Sequence, residues 1–361
     1  MRLEDHRVLT ISPGPFRRRK VPRTPVAIAG RHGLVPKQTI ARVCAPLVRC
    51  SPRGVSSLTT GMGSATYAVG EPGGEQFVIK FDVFGNHHLE HEALLCTLLR
   101  GAYESLPVPR MYHLDLSAST APYAYLIEES MPGEPLWSSL GTSSVAQSAH
   151  AFRQIGAALN RIHALTPSPT GYGRLDEEWY LRQAPEQWAS WPFRGEYPRC
   201  VQYVLRFVRS HLEFLRSVDL LTDSESAEAW DVLTSFDYSP FQSAHIHGDP
   251  NPKNFLFADG VLTGVIDCNT RLAPIEEDLA YLEIYVRELP AVFDNLDATV
   301  MRDAFLSGYG EHPCRPFGTS QSRVFCLLCG LRVLVRRVQT EDGRRAQRVL
   351  RFIRELLNDP C

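Results

Sequence analysis

Three oxygen-bearing side chains, Asp249, Asn254 and Asp267, have the types and the spacing that magnesium-assisted chemistry requires. Asp249 and Asn254 lie in the polar segment HGDPNPKN, and Asp267 follows two short apolar runs farther along the chain. Amide and carboxylate oxygens suit Mg²⁺, which usually keeps several waters and a substrate phosphate in its coordination shell. The additional carboxylate can accept the proton of an attacking hydroxyl. With Asp249 as the base and Asn254 and Asp267 as metal ligands, this is the division of labour of kinase phosphoryl transfer.

A predicted β-hairpin would hold these side chains near one point. The apolar runs Phe255–Phe257 and Val261–Ile266 are separated by the turn sequence ADG, a pattern typical of two tightly joined strands. Asp and Asn also cap ordinary turns, and each of the three residues taken alone would favour that interpretation. Their combined spacing, with an apolar hairpin between them, favours a functional site.

The segment HGDPNPKN, followed by Ile266-Asp267, resembles the aminoglycoside phosphotransferase family, whose members carry a His-Gly-Asp-x₄-Asn loop and a later Ile-Asp. The resemblance implies an α+β, two-lobed protein-kinase-like fold with a small β-rich N-lobe and a larger, mainly helical C-lobe. The nucleotide-binding N-lobe would span residues 36–131. The C-lobe would span residues 132–361 and contain the catalytic loop 245–267 and substrate-binding helices. ATP and Mg²⁺ are the implied cofactors.

Two charged residues resemble the phosphate-binding pair of the same family. Lys80 lies near the end of the strand-like run 76–81, as in the third strand of kinases. Glu92 opens an apolar helical run, where family members place a Glu that fixes the Lys through an ion pair. Glu90 competes for this role, but Glu92 immediately precedes the apolar helix and is preferred. A Lys at a strand end is also common on ordinary protein surfaces.

Further nucleotide contacts are expected in a glycine loop and a hinge. Gly61 and Gly63 lie between two strand-like runs, and small residues there let backbone N–H groups approach phosphates. An ordinary hairpin turn explains this pair equally well, since only part of the kinase glycine signature is present. The hinge follows the apolar run that begins at Tyr123. The resemblance implies that adenine binds there to backbone groups of Glu129 to Met131.

Two segments of the C-lobe concern the support of the catalytic loop. His163 ends a helical run, and a structural role is favoured because a His suits the terminal carbonyls there. Asp278 matches the Asp of the family's Gly-Asp-Pro-x-x-Asp-Leu-Ala, but the Gly-Asp-Pro is absent. This departure puts in doubt the carboxylate that normally braces the catalytic loop. Glu276 would either take the place of that carboxylate or face the substrate. Helical spacing also predicts helices over residues 36–48, where Pro46 can end the helix early, and over 149–165, 298–309, 322–338 and 344–357.

The acceptor of the phosphoryl group is expected to be an aminoglycoside antibiotic, which would make the protein a resistance enzyme. Acidic and aromatic residues alternate in the region 166–239, including residues 176–180, Trp188, Trp191 and Trp230. Carboxylates pair with ammonium groups and rings stack on sugars, so this composition suits a cationic sugar. The Gly-Tyr-Gly at 171–173 looks distantly like hygromycin-type phosphotransferases.

Two other interpretations stay open. Relatives with the same fold phosphorylate macrolides, choline, homoserine or fructosamine, and the core motif does not separate these acceptors. The absent Gly-Asp-Pro and the reduced glycine loop are compatible with a non-catalytic kinase-like binding protein. Turnover of nucleotide with a member of a broad acceptor panel would indicate an enzyme. Nucleotide binding without turnover across the panel would indicate a non-catalytic binding protein.

Composition and charge limit the remaining classes of protein. The 361 residues are 44% hydrophobic and 22% charged, with a net charge of −2, which is ordinary for a soluble globular protein and offers no basic face for nucleic acid. No apolar run is long enough to span a membrane. Nine scattered cysteines favour a reducing, cytoplasmic setting, and Cys326 and Cys329 are interpreted as core residues. The proline- and arginine-containing residues 1–35 are expected to be a disordered tail.

Overall fold

The computed structural model describes residues 10–12, 35–45, 54–58, 64–70, 76–83, 89–118, 120–165, 169–175, 194–268, 271–310, 320–340 and 342–358. These residues divide into two compact units, one ending at Pro132 and the other beginning at Gly133. Within the segment expected to be a disordered tail, Thr10–Ser12 form a strand. Residues 1–9 and 13–34 of that tail lie outside the described part of the chain.

The first unit is built on a mixed six-stranded sheet. Its strand order is β1-β5-β6-β4-β3-β2, with β1 parallel to β5 and the other neighbours antiparallel. Alternate residues of β4, Phe77, Ile79 and Phe81, are fully buried in the core of this unit, as the period of two in a strand requires. The strands are β1 Thr10–Ser12, β2 Val55–Ser57, β3 Ala65–Val69, β4 Phe77–Phe81, β5 Met111–Asp115 and β6 Tyr125–Glu129.

Among the described residues, two helices accompany this sheet, α1 Lys37–Cys44 and α2 Leu89–Ala102. Helix α1 ends at Cys44 and not at residue 48 as predicted, because Pro46 has no N–H with which to continue the helix. Helix α2 begins at Leu89 and not at Glu92 as predicted. Burial of Leu89, which is 1% exposed, anchors an additional first turn, in which acidic side chains interact favourably with the helix dipole.

The second unit is mainly helical. Helix α4 begins earlier than predicted because Ser144 and Gln147 form a reciprocal capping box. The helices predicted over 298–309, 322–338 and 344–357 agree within two residues at each end. Its helices are α3 Leu136–Ser139, α4 Val145–His163, α5 Cys200–Ser217, α6 Asp223–Ser235, α7 Glu276–Glu288, α8 Ala298–Tyr309, α9 Ser320–Gln339 and α10 Gly343–Asn358.

Helices α4 and α8 approach so closely that glycine is required at the contact. A Cβ at Gly156 would overlap the carbonyl oxygen of Phe305, and a Cβ at Gly308 would overlap the carbonyl oxygen of Arg153. Both contacts are with backbone atoms, which cannot move aside as a flexible side chain would. Small residues at these two positions therefore set the distance between the helices.

Two small sheets complete the second unit, in the orders β10-β13-β8-β9 and β12-β11-β7. Strands β11 and β12 form the predicted antiparallel hairpin. Asp259 and Gly260 join them with φ values of 50° and 79°, the positive values that a tight two-residue hairpin loop needs. The strands are β7 Glu134–Pro135, β8 Tyr172–Leu175, β9 Gly195–Tyr197, β10 Ala244–Ile246, β11 Phe255–Ala258, β12 Val261–Val265 and β13 Arg271–Ala273.

The β-rich first unit and the helical second unit agree with the predicted α+β class. Cys326 and Cys329 are buried in the apolar core formed around α9, which confirms their interpretation as core residues. Within the part of the chain that the structure describes, no helix is long and apolar enough to cross a membrane.

Candidate active site

In the first unit, Lys80 lies in a buried cluster with two carboxylates. Its Nζ is 2.6 Å from Glu92 Oε1 and 2.8 Å from Glu128 Oε1, and all three residues are at most 2% exposed. The structure thus brings Lys80 to the preferred Glu92, whereas Glu90 lies beside His91. Sequence reasoning missed Glu128, although a carboxylate in the apolar run of β6 was a signal. Two carboxylates fix the ammonium group more tightly than one would.

The hinge follows β6 directly. The N–H of Glu129 donates to the carbonyl of Arg110 at 2.8 Å, and its side chain accepts from the Arg110 N–H and from Arg100. The N–H of Met131 makes no hydrogen bond to any residue that the structure describes. Of the two predicted hinge residues, Met131 is therefore the one whose backbone N–H is available to an adenine base. Gly61 and Gly63 lie outside the described residues.

In the second unit, the segment HGDPNPKN forms a closed loop. The side chain of Asn251 accepts from the N–H of Lys253 and caps a short 3₁₀ turn, Pro252–Asn254. Asn254 Nδ2 donates to the carbonyl oxygen of Asp249 at 2.9 Å. This bond joins the two ends of the predicted Asp-x₄-Asn motif and fixes the orientation of the Asn254 amide.

The carboxylate of Asp249 is held by two side chains from distant helices. Tyr285 of α7 donates its hydroxyl to Oδ1 at 2.6 Å, and Arg336 of α9 lies 3.0 Å from Oδ2. Burial favours the neutral acid, but the charge of Arg336 and the hydrogen bonds from Tyr285 and Arg336 outweigh it and lower the pKa of Asp249. Asp249 is therefore ionised at neutral pH. A carboxylate offers about four acceptor positions, so room remains for a third donor.

Asn254 and Asp267 are placed next to each other by the backbone. The N–H of Ile266 donates to the carbonyl oxygen of Asn254 at 3.0 Å, and Asp267 follows at once. Asp267 has a φ of 54°, a left-handed conformation that Asp adopts more readily than most residues and that is often found at functional sites.

The chemistry of these two donors fits Mg²⁺. Because Nδ2 of Asn254 donates to Asp249, its amide oxygen stays available, and Asp267 supplies a carboxylate. Among the described residues, no group of three or more His, Cys, Asp or Glu side chains could hold a metal ion. A site with one amide and one carboxylate must be completed by water and phosphate oxygens, which is the usual state of protein-bound Mg²⁺.

The loop is braced from behind by Asp278 of α7. Its carboxylate accepts from the N–H of His247 at 2.7 Å and from the N–H of Gly248 at 2.8 Å. His163 lies 3.0 Å from the same carboxylate and 2.6 Å from the Tyr309 hydroxyl, in agreement with its predicted structural role. Asp278 thus supplies the brace that the absent Gly-Asp-Pro had put in doubt.

The protonation state of this brace follows from its surroundings. Burial favours the neutral form of Asp278, but the hydrogen bond and charge of His163, the charge of His247 and the N–H of Gly248 together lower its pKa below the ordinary 3.8. Asp278 is a permanent acceptor for the loop backbone at neutral pH.

A second buried ionic cluster underlies the same loop. Glu277, fully buried, lies 2.6 Å from Arg332 and 3.3 Å from Arg271, and it accepts from the Tyr203 hydroxyl. Arg271 also reaches the carbonyl oxygen of Gly248 at 3.4 Å. The cluster therefore connects β13, α5, α7 and α9 to the loop. The predicted alternative brace, Glu276, makes no ion pair with any described residue and is buried.

Cations surround the exposed side of the loop. Lys253 Nζ lies 5.4 Å and Arg345 Cζ 5.1 Å from the ring centre of Trp137, close enough for cation–π attraction. Partial desolvation, together with the charges of Arg345, Arg337 and Arg336, lowers the pKa of Lys253. Sequence reasoning assigned no role to these residues.

The substrate region expected from sequence is only partly described. Trp188, Trp191 and residues 176–180 lie outside the described residues. Trp230 lies on α6, where the guanidinium of Arg209 is 5.4 Å from its ring centre. Asp249, Asn254 and Asp267 lie in the second unit, while Lys80, Glu92, Glu129 and Met131 lie in the first.

Comparisons with known proteins agree with this geometry. Residues 54–325 match the family model of the phosphotransferase enzyme family. No curated protein matches the sequence significantly.

Three solved structures illustrate the shared fold. A thermostable mutant of aminoglycoside phosphotransferase APH(4)-Ia, in ternary complex with ADP and hygromycin B, is 14% identical with a TM-score of 0.60, and the match covers 88% of this chain and 96% of that one. APH(2″)-IIIa in complex with GDP and kanamycin is 15% identical with a TM-score of 0.60, covering 88% and 97%. Macrolide 2′-phosphotransferase MphH from Brachybacterium faecium is 16% identical with a TM-score of 0.52, covering 90% and 99%. The predicted kinase-like fold is confirmed.

Proposed function

The chain belongs to the phosphotransferase enzyme family, and from this premise we propose that it transfers the γ-phosphate of ATP to a hydroxyl of a small molecule. One observation carries the proposal. The closed loop holds an ionised carboxylate, that of Asp249, and the same hydrogen bond that closes the loop leaves the amide oxygen of Asn254 available, while Asp267 directly follows Ile266, whose N–H donates to the Asn254 carbonyl. An acceptor for a proton and an oxygen pair for a cation are the two requirements of phosphoryl transfer.

Asp249 would orient the hydroxyl of the acceptor and take its proton. The acceptor oxygen forms a bond to the γ-phosphorus, the bond from that phosphorus to the β-phosphate oxygen breaks, and ADP leaves. The lowered pKa of Asp249 makes it a weak base. The transition state of phosphoryl transfer is loose and demands little proton removal, so positioning by Tyr285 and Arg336 matters more than basicity.

Asn254 and Asp267 would hold Mg²⁺, which when bound neutralises charge on the nucleotide phosphates. Lys80 would neutralise the α- and β-phosphates. Its ammonium group is held by Glu92 and Glu128, so little reorganisation is needed when a nucleotide binds. The free backbone N–H of Met131 would donate a hydrogen bond to the adenine base of the nucleotide. Gly61 and Gly63 are retained as proposed phosphate contacts on the sequence argument alone.

The brace provided by Asp278 bears on the non-catalytic alternative. That interpretation depended in part on the loss of the carboxylate supporting the loop. Since Asp278 holds the loop backbone at two N–H groups, this argument no longer applies, and an active enzyme is the better proposal.

An aminoglycoside is one proposed acceptor, supported by the neighbours solved with hygromycin B and with kanamycin. Macrolide, choline, homoserine and fructosamine types are the alternatives, and the charges around Asp249 bear on this choice, as described below.

The test is transfer of label from γ-labelled ATP, with Mg²⁺, to a panel of hydroxylated small molecules that includes aminoglycosides. Labelled acceptor, formed by the wild type and lost in Asp267→Asn, is expected. Nucleotide binding without labelled product across the whole panel would instead favour a non-catalytic protein. The exposed Asp294→Asn variant is the matched control, since Asp294 lies in a solvent-exposed turn before α8.

A further inference from the structure

We propose that the acceptor carries an anionic group, a carboxylate or a phosphate, and that this group binds to Lys253 together with the neighbouring Arg345. The inference rests on the proposed function, because it names the acceptor class of the same site. It starts from the distribution of charge around the catalytic loop of the second unit.

The acidic side chains of α7 are either buried or paired with arginine. A polycationic acceptor needs carboxylates that face it, and α7 follows the catalytic loop and contributes Tyr285 to the candidate base. Asp278 is occupied by the loop backbone, and Glu276 is buried. The others lie in ion pairs with arginine: Glu277 with Arg271 and Arg332, Glu283 with Arg287 and Arg302, and Glu288 with Arg337.

Cationic side chains contact the candidate base and the Trp137 ring beside which Lys253 lies. Arg336 pairs with Asp249 itself at 3.0 Å. Arg345 lies beside Trp137, where its nearest carboxylate, Asp342, is 3.7 Å away. Lys253 is exposed and forms no salt bridge with a described residue, while the charge of Asp342 acts on it from a greater distance. Asp342 is shared by Arg337, Arg345 and Lys253, so these three cations outnumber the carboxylate that they share.

Lys253 lies in the same loop as the candidate base. It immediately precedes Asn254, whose Nδ2 donates to the backbone carbonyl of Asp249, and the charge of Arg336, which contacts the Asp249 carboxylate, acts on its ammonium group. An anionic group bound to Lys253 would thus anchor an acceptor whose hydroxyl reaches Asp249. Charge-assisted hydrogen bonds to a carboxylate or phosphate are strong and directional. An ammonium group at the same place would meet like charge.

An exposed lysine is most often part of a solvated surface. Here the sequence offers a direct comparison, because Lys37 of α1 is an exposed lysine of the first unit. If Lys253 were only a surface residue, both lysines would respond in the same way to anions.

The first experiment measures binding without turnover. Lysines are ¹³C-dimethylated, which preserves their charge, and the Lys253 resonance is assigned by its loss in Lys253→Arg. Propionate and inorganic phosphate are titrated with Mg²⁺ and ADP present, so that the nucleotide phosphate positions are filled. We expect a saturable change in the chemical shift of Lys253 and no change at Lys37. Anion binding should be about tenfold weaker in Arg345→Gln. Of the two anions, the one that resembles the anionic group of the acceptor should bind more tightly. Equal responses of the two lysines would overturn the proposal.

The second experiment measures specificity. Labelled transfer is compared within two matched pairs, glycerate against glycerol and glucose 6-phosphate against glucose, with kanamycin as the polycation. We expect the anionic member of a pair to have the higher kcat/KM. Lys253→Met should reduce the ratio of kcat/KM for the anionic member to kcat/KM for the neutral member by at least about tenfold. Lys37→Met should leave this ratio unchanged. Preferred turnover of kanamycin, or a Lys253→Met effect confined to the KM for ATP, would overturn the proposal. Absence of transfer to every acceptor would refute the proposed function, while the titration would still decide this inference.

Discussion

Replacing Asp278 with asparagine removes the brace of the catalytic loop while keeping its size. The carboxylate accepts from the N–H groups of His247 and Gly248 and from His163 in a fully buried position. An asparagine has one acceptor oxygen, so its NH₂ group must face at least one of these donors. An unsatisfied buried donor costs about 1–3 kcal/mol. We expect the free energy of unfolding to fall by about 1–3 kcal/mol.

Urea denaturation at pH 7, followed by far-ultraviolet circular dichroism, measures this loss. Because Asp249 directly follows the two braced residues, we also expect kcat to fall by about tenfold or more, as small displacements of a catalytic group have large effects on rate. The control is Asp294→Asn, an exposed change that leaves both quantities unaltered. A loss below about 1 kcal/mol would show that Asp278 does not hold the loop in the way described.

The same variant has a pH signature. The pKa of Asp278 is lowered below 3.8 in the folded protein, so its carboxylate stabilises the fold above that pH. This contribution is lost as the pH falls through the lowered pKa. The difference in unfolding free energy between wild type and Asp278→Asn should therefore shrink below pH 3.8. A difference that grows on acidification would contradict the assigned direction.

Three further changes test other parts of the structure. Lys80→Met leaves two buried carboxylates without that cation, and we expect denaturation to show that the free energy of unfolding falls by about 3–5 kcal/mol. Steady-state kinetics should show a raised KM for ATP. Arg336→Gln removes the charge that lowers the pKa of Asp249, so the acidic limb of the kcat/KM profile should move to higher pH; an unmoved limb would count against the pairing. Gly308→Ala puts a Cβ onto a carbonyl oxygen of α4 and should lower the free energy of unfolding by about 3 kcal/mol. Gly101→Ala, with open space around the new Cβ, should not destabilise the protein.

The parts of the site that local sequence determines were predictable. The hairpin follows from two apolar runs and an Asp-Gly turn, and the bounds of α8 from helical spacing alone. The Lys80–Glu92 contact followed from the resemblance, and the register of β4 against β6 then explains why Glu128 joins it. These features depend on neighbours in sequence or on a recognised motif, which is the information a single chain provides.

The partners of Asp249 could not be predicted in this way. Tyr285 and Arg336 come from α7 and α9, and helical periodicity does not say which residue of a distant helix faces a given loop. The role of Asp278 was obscured for a different reason, because the missing Gly-Asp-Pro suggested a lost brace. The backbone bonds show that the Asp of Asp-Leu-Ala holds the loop regardless.

The turnover of Asp249→Asn, measured beside its affinity for Mg²⁺-ATP, tests the central claim most directly. The change keeps the size of the side chain and removes its capacity to accept a proton. We predict that kcat for transfer to the acceptor falls by about 10²–10⁴-fold, the usual range for a general base, while the dissociation constant for the nucleotide stays nearly the same. Turnover at the wild-type rate would contradict the assignment of Asp249 as the base.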